Sequence, residues 1–366
     1  MNPADFDLGR AVKEAVEGAM RELRTVNILI AGPSGVGKST LINAIFSGNL
    51  AETGQGRPVT TSTREYWKEG LPLRVFDTRG LETAAYKETL GQLREFAEER
   101  KRDTSADRHI HVGWLCIAED SRRVDQAVIE THDVLASSMP VVGVITKVRQ
   151  DKGFRAVVQG LLPNARNIVR VRAEREEHDD GHILNPEGLE GLIELTLTLI
   201  PESHRRAFVA AQKASLAQKK KYAHGAVVTA ATAAAGFAAA PIPFSDAIAI
   251  VPVQVGMLAG ISATFGLELS AAFLSTLVVS AAGAGGATLA GQALVGALLK
   301  IIPGVGSVTG GLVSAAVASA LTVALGETYI LALSILYDAK GGEVPTPAEV
   351  EAEFKKQLTL RGTSTS

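Results

Sequence analysis

The stretch Val26–Phe46, VNILIAGPSGVGKSTLINAIF, decides how the rest of the chain is read. An apolar run is followed by a glycine-rich turn and then by residues with helical spacing, so the segment predicts strand, loop and helix in that order. The loop, GPSGVGKS from Gly32 to Ser39, satisfies GxxxxGK[ST] in the context that motif requires. Its residue types point to phosphate. Glycines at 32, 35 and 37 let the backbone of Gly32, Pro33, Ser34, Gly35, Val36 and Gly37 curl so that N–H groups face phosphate oxygens, where a Cβ would obstruct them. The helix from Lys38 adds the positive end of its dipole. Lys38 is expected to bridge the β- and γ-phosphates and Ser39 to offer its hydroxyl to Mg²⁺, with Thr40 in the same nucleotide-binding set.

Working outward, the rhythm repeats. LRVFD, HVGWLCIA, VVGVIT and NIVRVRA alternate with longer amphipathic segments such as ETAAYKETLGQLREFAEERK and EGLEGLIELTLTLI. Such alternation predicts an α/β domain, a mostly parallel sheet with helices on both faces. Ligands of such sheets bind beyond the carboxyl ends of the strands. The loop after LRVFD carries DTRG, Asp77 to Gly80, which fits DxxG and begins 38 residues after Ser39. Asp77 is placed to hold the Mg²⁺ hydration shell, and the Gly80 N–H can approach a γ-phosphate. Between the two motifs runs GQGRPVTTSTREYW, read as a switch loop that needs one Thr for both Mg²⁺ and the γ-phosphate. Thr60 is the choice, Thr61 the alternate, and Thr63 lies too near the following strand. The expected catalytic set is thus Lys38, Thr60, Asp77 and Gly80, and the expected metal set Ser39, Thr60 and Asp77.

These residues resemble a known group. GPSGVGKSTLINAIF, RPVTTSTREYW, VFDTRGLE and VVGVITKV together are similar to the translation-factor-related class of GTPases, and within it to the Era-like group, over about Val26 to Ile200. The resemblance implies GTP or GDP as ligand, Mg²⁺ as cofactor, and coupling of nucleotide state to a partner. Two departures stand out. The base-reading run N/TKxD is here Thr146, Lys147, Val148, Arg149, with an acid only at Asp151. Lys147 can stack along the base, but either Asp151 swings in or guanine specificity is weakened, which keeps an ATPase as a rival. The later loop of SAK type falls at Val171, Arg172 and Ala173, where only Ala173 matches. Leu81, directly after DTRG, replaces the Gln that orients attacking water in many GTPases. Slow intrinsic hydrolysis, accelerated by dimerisation or an activating partner, is the expectation; a nucleotide-dependent scaffold with negligible turnover is the other rival. Arg57, Arg64 and Arg79 lie near the phosphates in sequence, with no role assigned to any one.

The totals exclude other classes. A formal net charge of -2 over 366 residues gives no global attraction to nucleic acid. A single cysteine, Cys116, forms no internal disulfide and reads as a buried thiol in a reducing compartment. The first residues carry acids and no continuous apolar core, so neither a secretory signal nor a transit peptide is expected. Leu8, Val12, Ala15, Val16, Ala19, Met20 and Leu23 recur at helical spacing, as a helix laid against a core. His178 and His182 in HDDGH read as a polar loop, and His109 and His111 carry no ligand arrangement.

Composition then breaks. From Gly225 to Leu336 the charged side chains are only Asp246, Glu268, Lys300 and Glu327. The expected division is an amphipathic helix over 1–24, a GTP-binding domain over 25–204, a basic helical connector over 205–224, an apolar helical domain over 225–338 and a polar tail over 339–366. Helices apolar on every side are buried by one another or dissolved in lipid. Gly256 and Gly260, or Gly306 and Gly310, stand four apart, as close helix contact in lipid permits, and Lys219, Lys220 and Lys221 would meet anionic headgroups. A cytoplasmic protein at the inner face of the cell membrane, with lipid as a partner, is the expectation. AAAPIPFSDAIAIVPVQVGMLAGISATFGLELS and IIPGVGSVTGGLVSAAVASALTVALGETYI are similar to a bacterial domain of unknown function, family 697, and more distantly to interferon-inducible immunity GTPases.

Overall fold

The computed structural model describes residues 8–48, 50, 55–58, 63–78, 86–238, 246–282 and 315–363. Two compact units divide the chain, residues 24–215 and residues 1–23 with 216–366. Each has its own hydrophobic core.

In residues 24–215 the strands are β1 (Val26–Ala31), β2 (Gln55–Pro58), β3 (Thr63–Trp67), β4 (Leu73–Thr78), β5 (Val112–Ala118), β6 (Val141–Thr146) and β7 (Asn167–Arg170). They form one sheet in the order β2-β3-β4-β1-β5-β6-β7. β4, β1, β5, β6 and β7 run parallel, and β2 and β3 close one edge antiparallel. Every residue of β1, β5 and β6 is buried, as expected of central strands covered on both faces. The helices are α2 (Lys38–Ile45), α3 (Tyr86–Arg102), α4 (Gln126–Ala136), α5 (Phe154–Leu161), α6 (Leu189–Leu199) and α7 (Glu202–Ala211), with α1 (Leu8–Glu22) in the other unit. On one face Phe76 packs on Phe96 with ring centroids 5.3 Å apart. On the other Phe46 stacks on Trp114 at 5.9 Å and meets Phe208 edge-on.

Register sets the site. Ile30 pairs with Asp77 and Ala118 with Thr146, so the loops that leave β1, β4, β5 and β6 emerge along one edge. Gln55–Pro58, read from sequence as loop, is instead an edge strand; Pro58 is tolerated there because an edge residue has no obligatory ladder partner on its outer side. Residues 205–224 are not one helix either. α7 stops at Ala211, where Gln212 folds its amide onto Ser215 (Nε2 to the Ser215 carbonyl 2.9 Å, Oε1 from the Ser215 N–H 2.7 Å) and its backbone bridges to Phe46.

The other unit is helical: α1, then α8 (Leu216–Ala238), α9 (Asp246–Thr264), α10 (Ala271–Ala282), α11 (Ala315–Ala339) and α12 (Pro347–Thr363). Val12 of α1 is fully buried with Val227, Leu258, Phe265, Leu274 and Leu333, although Met20 is exposed. Residues 339–366 are more than a polar tail, since Thr346 and Glu349 cap α12 reciprocally and Val350 and Phe354, four apart, are buried. Lys219 does not face outward with Lys220 and Lys221. It is fully buried, donates to the Thr264 carbonyl at 3.2 Å and lies over the Tyr337 ring, and burial pushes its amine down to about 7. The close-contact glycine is Gly326: a Cβ there would stand 2.6 Å from Val227 Cγ2, whereas nothing lies near one at Gly256. Gly306 and Gly310 fall outside the described residues. α11 is, among the described residues, the one helix long and apolar enough to cross a membrane, and over half of that apolar window is buried.

Candidate functional site

Lys38 opens α2, and Gly37 caps it in the left-handed region at φ 94°. Gly32 answers a different demand, because a Cβ at that position would stand 2.5 Å from the Cys116 carbonyl oxygen of β5. The loop is thus pressed against the neighbouring strand. Lys38 is 9% exposed; its Nζ donates to the carbonyls of Gly32 (2.8 Å) and Pro33 (3.1 Å) and stands 4.0 Å from Asp77 Oδ1. Asp77 is buried, delivered by its register with Ile30. Ser34, Gly35 and Ser39 are exposed beside this pair. A buried ammonium held by main-chain carbonyls next to a buried carboxylate is a polar cradle for a multiply charged ligand, since phosphate oxygens can replace the carbonyls as acceptors.

The same edge holds the residues of the TKVR run. Thr146 Oγ1 donates to the Val36 carbonyl at 2.5 Å, tying the end of β6 to the glycine-rich loop. Lys147 adopts φ 52° and its Nζ lies 3.8 Å from Asp120 Oδ2. Ser34, Gly35, Asp120, Asp125 and Lys147 line a cleft of about 280 Å³. Beneath the turn lies a carboxylate that sequence reasoning missed. Glu119, 2% exposed, accepts from the backbone N–H of Arg149 (2.6 Å) and Gln150 (2.9 Å) and from the Arg170 guanidinium (2.7 and 3.1 Å). Burial pushes its carboxyl up, but those hydrogen bonds outweigh the effect and hold it below the ordinary carboxylate range. The signal was its place: EDS follows β5 directly, where loops of a parallel sheet carry ligands.

Asp151 sits in the turn that leads into α5. Its carboxylate accepts from the Arg155 N–H at 2.8 Å, at the start of α5, and faces Arg170 at 3.7 Å. Arg149 turns its guanidinium to Glu176, in the short hairpin of β8 (Glu176–Glu177) and β9 (Ile183–Leu184), at 2.9 and 3.0 Å. Ala173 follows Val171, whose N–H donates to the Ile145 carbonyl, and Arg172, which is buried and pairs with Glu187. Arg64 stands opposite Asp77 across β3 and β4. Thr60, Thr61, Arg79, Gly80 and Leu81 lie outside the described residues, and so does the side chain of Arg57.

Four of the histidines pair off, His178 with His182 and His111 with His204. His178 and His182 face each other across the hairpin, 6.1 Å between ring centroids, and no group of three His, Cys, Asp or Glu among the described residues is arranged for a metal. At the opposite end of the sheet His111 accepts from the Asn27 N–H through Nδ1, and its ring lies 4.0 Å from that of His204. Burial and the neighbouring His204 bring the His111 imidazole down to about 4. Cys116 is buried, which pushes its thiol up to about 12 and leaves it unreactive.

Residues 27–147 match the family model described as 50S ribosome-binding GTPase. The chain carries a P-loop GTPase domain. Ribosome biogenesis GTPase A of Bacillus licheniformis is 37% identical over 92 residues, which cover 25% of this chain and 32% of that protein. The tRNA modification GTPase MnmE of Paraburkholderia xenovorans is 34% identical over 192 residues, 49% of this chain and 37% of that protein. Among solved structures, a probable GTP-binding protein, engB, matches with a TM-score of 0.32 at 16% identity, over 49% of this chain and 99% of that one. The chain therefore spans well under half the length of the curated relatives it matches.

Proposed function

We propose that this chain is a GTP-binding and GTP-hydrolysing switch of Era-like type. The observation that carries the reading is the Lys38 cradle: a buried ammonium, 4.0 Å from Asp77, at the head of α2 and behind a glycine-rich loop whose Ser34 and Gly35 are exposed. The family match over residues 27–147 supports guanine as the base. The backbone from Gly32 to Gly37 would hold the phosphates, Lys38 would trade two carbonyls for β- and γ-phosphate oxygens, and Thr146 would keep the loop in place through Val36. Lys147 and Ala173 would flank the base. Ser39 and Asp77 offer oxygen donors, which suit a hard divalent cation. Mg²⁺ bound there would neutralise charge on the β- and γ-phosphates. Thr60 and Gly80 are assigned to the γ-phosphate on sequence alone.

Leu81 cannot hold water in line, so turnover is slow until a second copy or an activating protein completes the site. The helical unit, read as a family-697 domain, would report nucleotide state at the inner face of the cell membrane. Exposed Val323, Leu331 and Ile335 on α11 and Val228 on α8 support a lipid partner. Single-turnover hydrolysis of GTP by the full chain, with and without anionic vesicles, tests both parts. The expected result is a measurable rate that Lys38→Ala abolishes, and co-sedimentation with vesicles. A rate equal to that of buffer in both conditions leaves a binding module and removes the enzyme.

A further inference from the structure

Guanine differs from adenine along the edge that carries N1–H and the 2-amino group: two adjacent donors, which a carboxylate matches and a guanidinium does not. A guanine site therefore needs a carboxylate with acceptor capacity left over beside the turn that bears Lys147. Position 149 supplies a guanidinium instead. The acids around the turn are not equivalent. Glu119 is closed, buried and bonded to two amides and Arg170. Asp151 gives Oδ1 to the Arg155 N–H at the head of α5 and faces Arg170, the guanidinium bonded to Glu119 behind the turn. Asp120 and Asp125, both in the segment after β5, lie on the β5 side of Lys147, and the strand order β5-β6-β7 puts them across from Ala173, which follows β7; Asp125 is also paired with Arg123.

Glu176 remains. It stands three residues after Ala173, on the β7 side, 29% exposed at its side chain. Arg149 Nε and a terminal guanidinium nitrogen both bond to its Oε2, at 3.0 and 2.9 Å, while Oε1 takes no hydrogen bond from the described residues. The side chain at position 149 thus points at an acid instead of being one.

We propose that Glu176 is the carboxylate that reads the base: Arg149 pins it beside the Lys147 turn, and Oε1 accepts from N1–H and the 2-amino group of a guanine nucleotide. Arg149 is the positioning residue. The arrangement explains how a chain with arginine in the base motif can still select guanine, and it can operate only if the guanine-nucleotide assignment holds.

Calorimetric titration of the full chain with GDP, IDP and ADP separates the two claims. IDP keeps N1–H and lacks the 2-amino group. The wild-type chain is expected to prefer GDP over IDP by about 10-fold, one charge-assisted hydrogen bond. Glu176→Gln should weaken GDP by about 10- to 100-fold and bring the GDP:IDP ratio toward one. Arg149→Ala should lower the same ratio, with the melting temperature of both variants unchanged. Glu177→Gln, whose partner is Arg175, should alter neither. A wild-type chain that binds no nucleotide, or binds equally well after Lys38→Ala, ends the nucleotide reading itself. A wild-type preference for GDP that survives intact in Glu176→Gln overturns the role of Glu176 and leaves the P-loop reading standing, as does equal affinity for ADP and GDP in the wild type.

Discussion

In residues 24–215 several buried charged groups gather at or near the ends of strands. Lys38 and Asp77 meet beyond β1 and β4, and Glu119 anchors the turn beyond β6 from the end of β5. In the helical unit the buried polar groups pair side to side between helices: Ser262 with Tyr329 at 2.7 Å, and Gln254 with Thr322 at 3.4 Å. His224 and Glu327 do the same nearer the surface, at 2.8 Å. One unit concentrates desolvated charge at an edge where a ligand can take over its hydrogen bonds. The other spreads its polar contacts along helix seams, hydroxyl and amide pairs for the most part with Lys219 as a buried amine among them, where they fix register. Removing a group should therefore cost function in the first unit and modest stability in the second.

The largest expected effect is at Lys38. Lys38→Ala deletes the ammonium that faces Asp77, and GDP affinity by calorimetry should fall at least about 100-fold, because a buried carboxylate is left beside the phosphates without its counter-charge. The helical unit should keep its far-ultraviolet circular dichroism and hydrogen-exchange protection. Comparable loss of protection in both units would break the distinction drawn between them.

Next come two glycines with similar clashes and different neighbours. At Gly32 a Cβ meets a main-chain carbonyl at 2.5 Å, which cannot rotate away, so Gly32→Ala should destabilise its unit by about 3 kcal/mol. At Gly326 it meets Val227 Cγ2 at 2.6 Å and Met257 Sδ at 2.9 Å, side-chain atoms that can repack. A gain in helix propensity of about 1 kcal/mol offsets part of that cost, and the net loss should be about 1 kcal/mol. Both tryptophans, Trp67 and Trp114, lie in residues 24–215, so urea unfolding followed by tryptophan fluorescence reports that unit alone.

These contrasts also explain what the sequence could say. β1, β5 and β6 are legible because a strand covered on both faces must be apolar throughout and must end in punctuation; Gly32–Ser39 follows from β1 at once, and Asp77 from the apolar run of β4 that ends in DTRG. Glu119 and Glu176 are not legible by spacing. Each acts across the sheet or hairpin, on residues 30 and 27 positions away, and no local pattern marks such a partner. The connector misleads because Lys219 belongs to a basic run in sequence, while α8 turns it inward against Thr264 and Tyr337. The polar tail misleads likewise: two buried residues, Val350 and Phe354, suffice to dock a helix that is otherwise charged.

Acidification should act on the first unit. His111 and His204 are neutral in the fold, their rings in tilted contact, and an unfolded histidine binds its proton near 6.5. A depressed imidazole means the unfolded chain takes up protons first, so stability falls as pH drops from about 6.5 toward 4 and levels off below. His111 alone accounts for at most about 3 kcal/mol over that window. Tryptophan-detected unfolding at pH 7 and pH 4.5 checks it, with His111→Asn expected to flatten the slope. An unchanged slope would mean that carboxylates at the other edge, Glu119 among them, control acid stability.

The last comparison sets one buried hydroxyl contact from each unit side by side. Trp114 Nε1 donates to Thr196 Oγ1 at 3.2 Å, and both residues are fully buried. Thr196→Val leaves an indole N–H with no acceptor, a desolvated donor that should cost about 1–3 kcal/mol. In the helical unit, Tyr329→Phe removes the hydroxyl that meets Ser262, but Ser262 also donates to the Leu258 carbonyl at 2.7 Å and so keeps a partner. The loss there should be about 1 kcal/mol or less, read by thermal melting of the helical signal. A larger loss for Tyr329→Phe than for Thr196→Val would mean that the seam pairs of the helical unit act as a network, not as separate bonds.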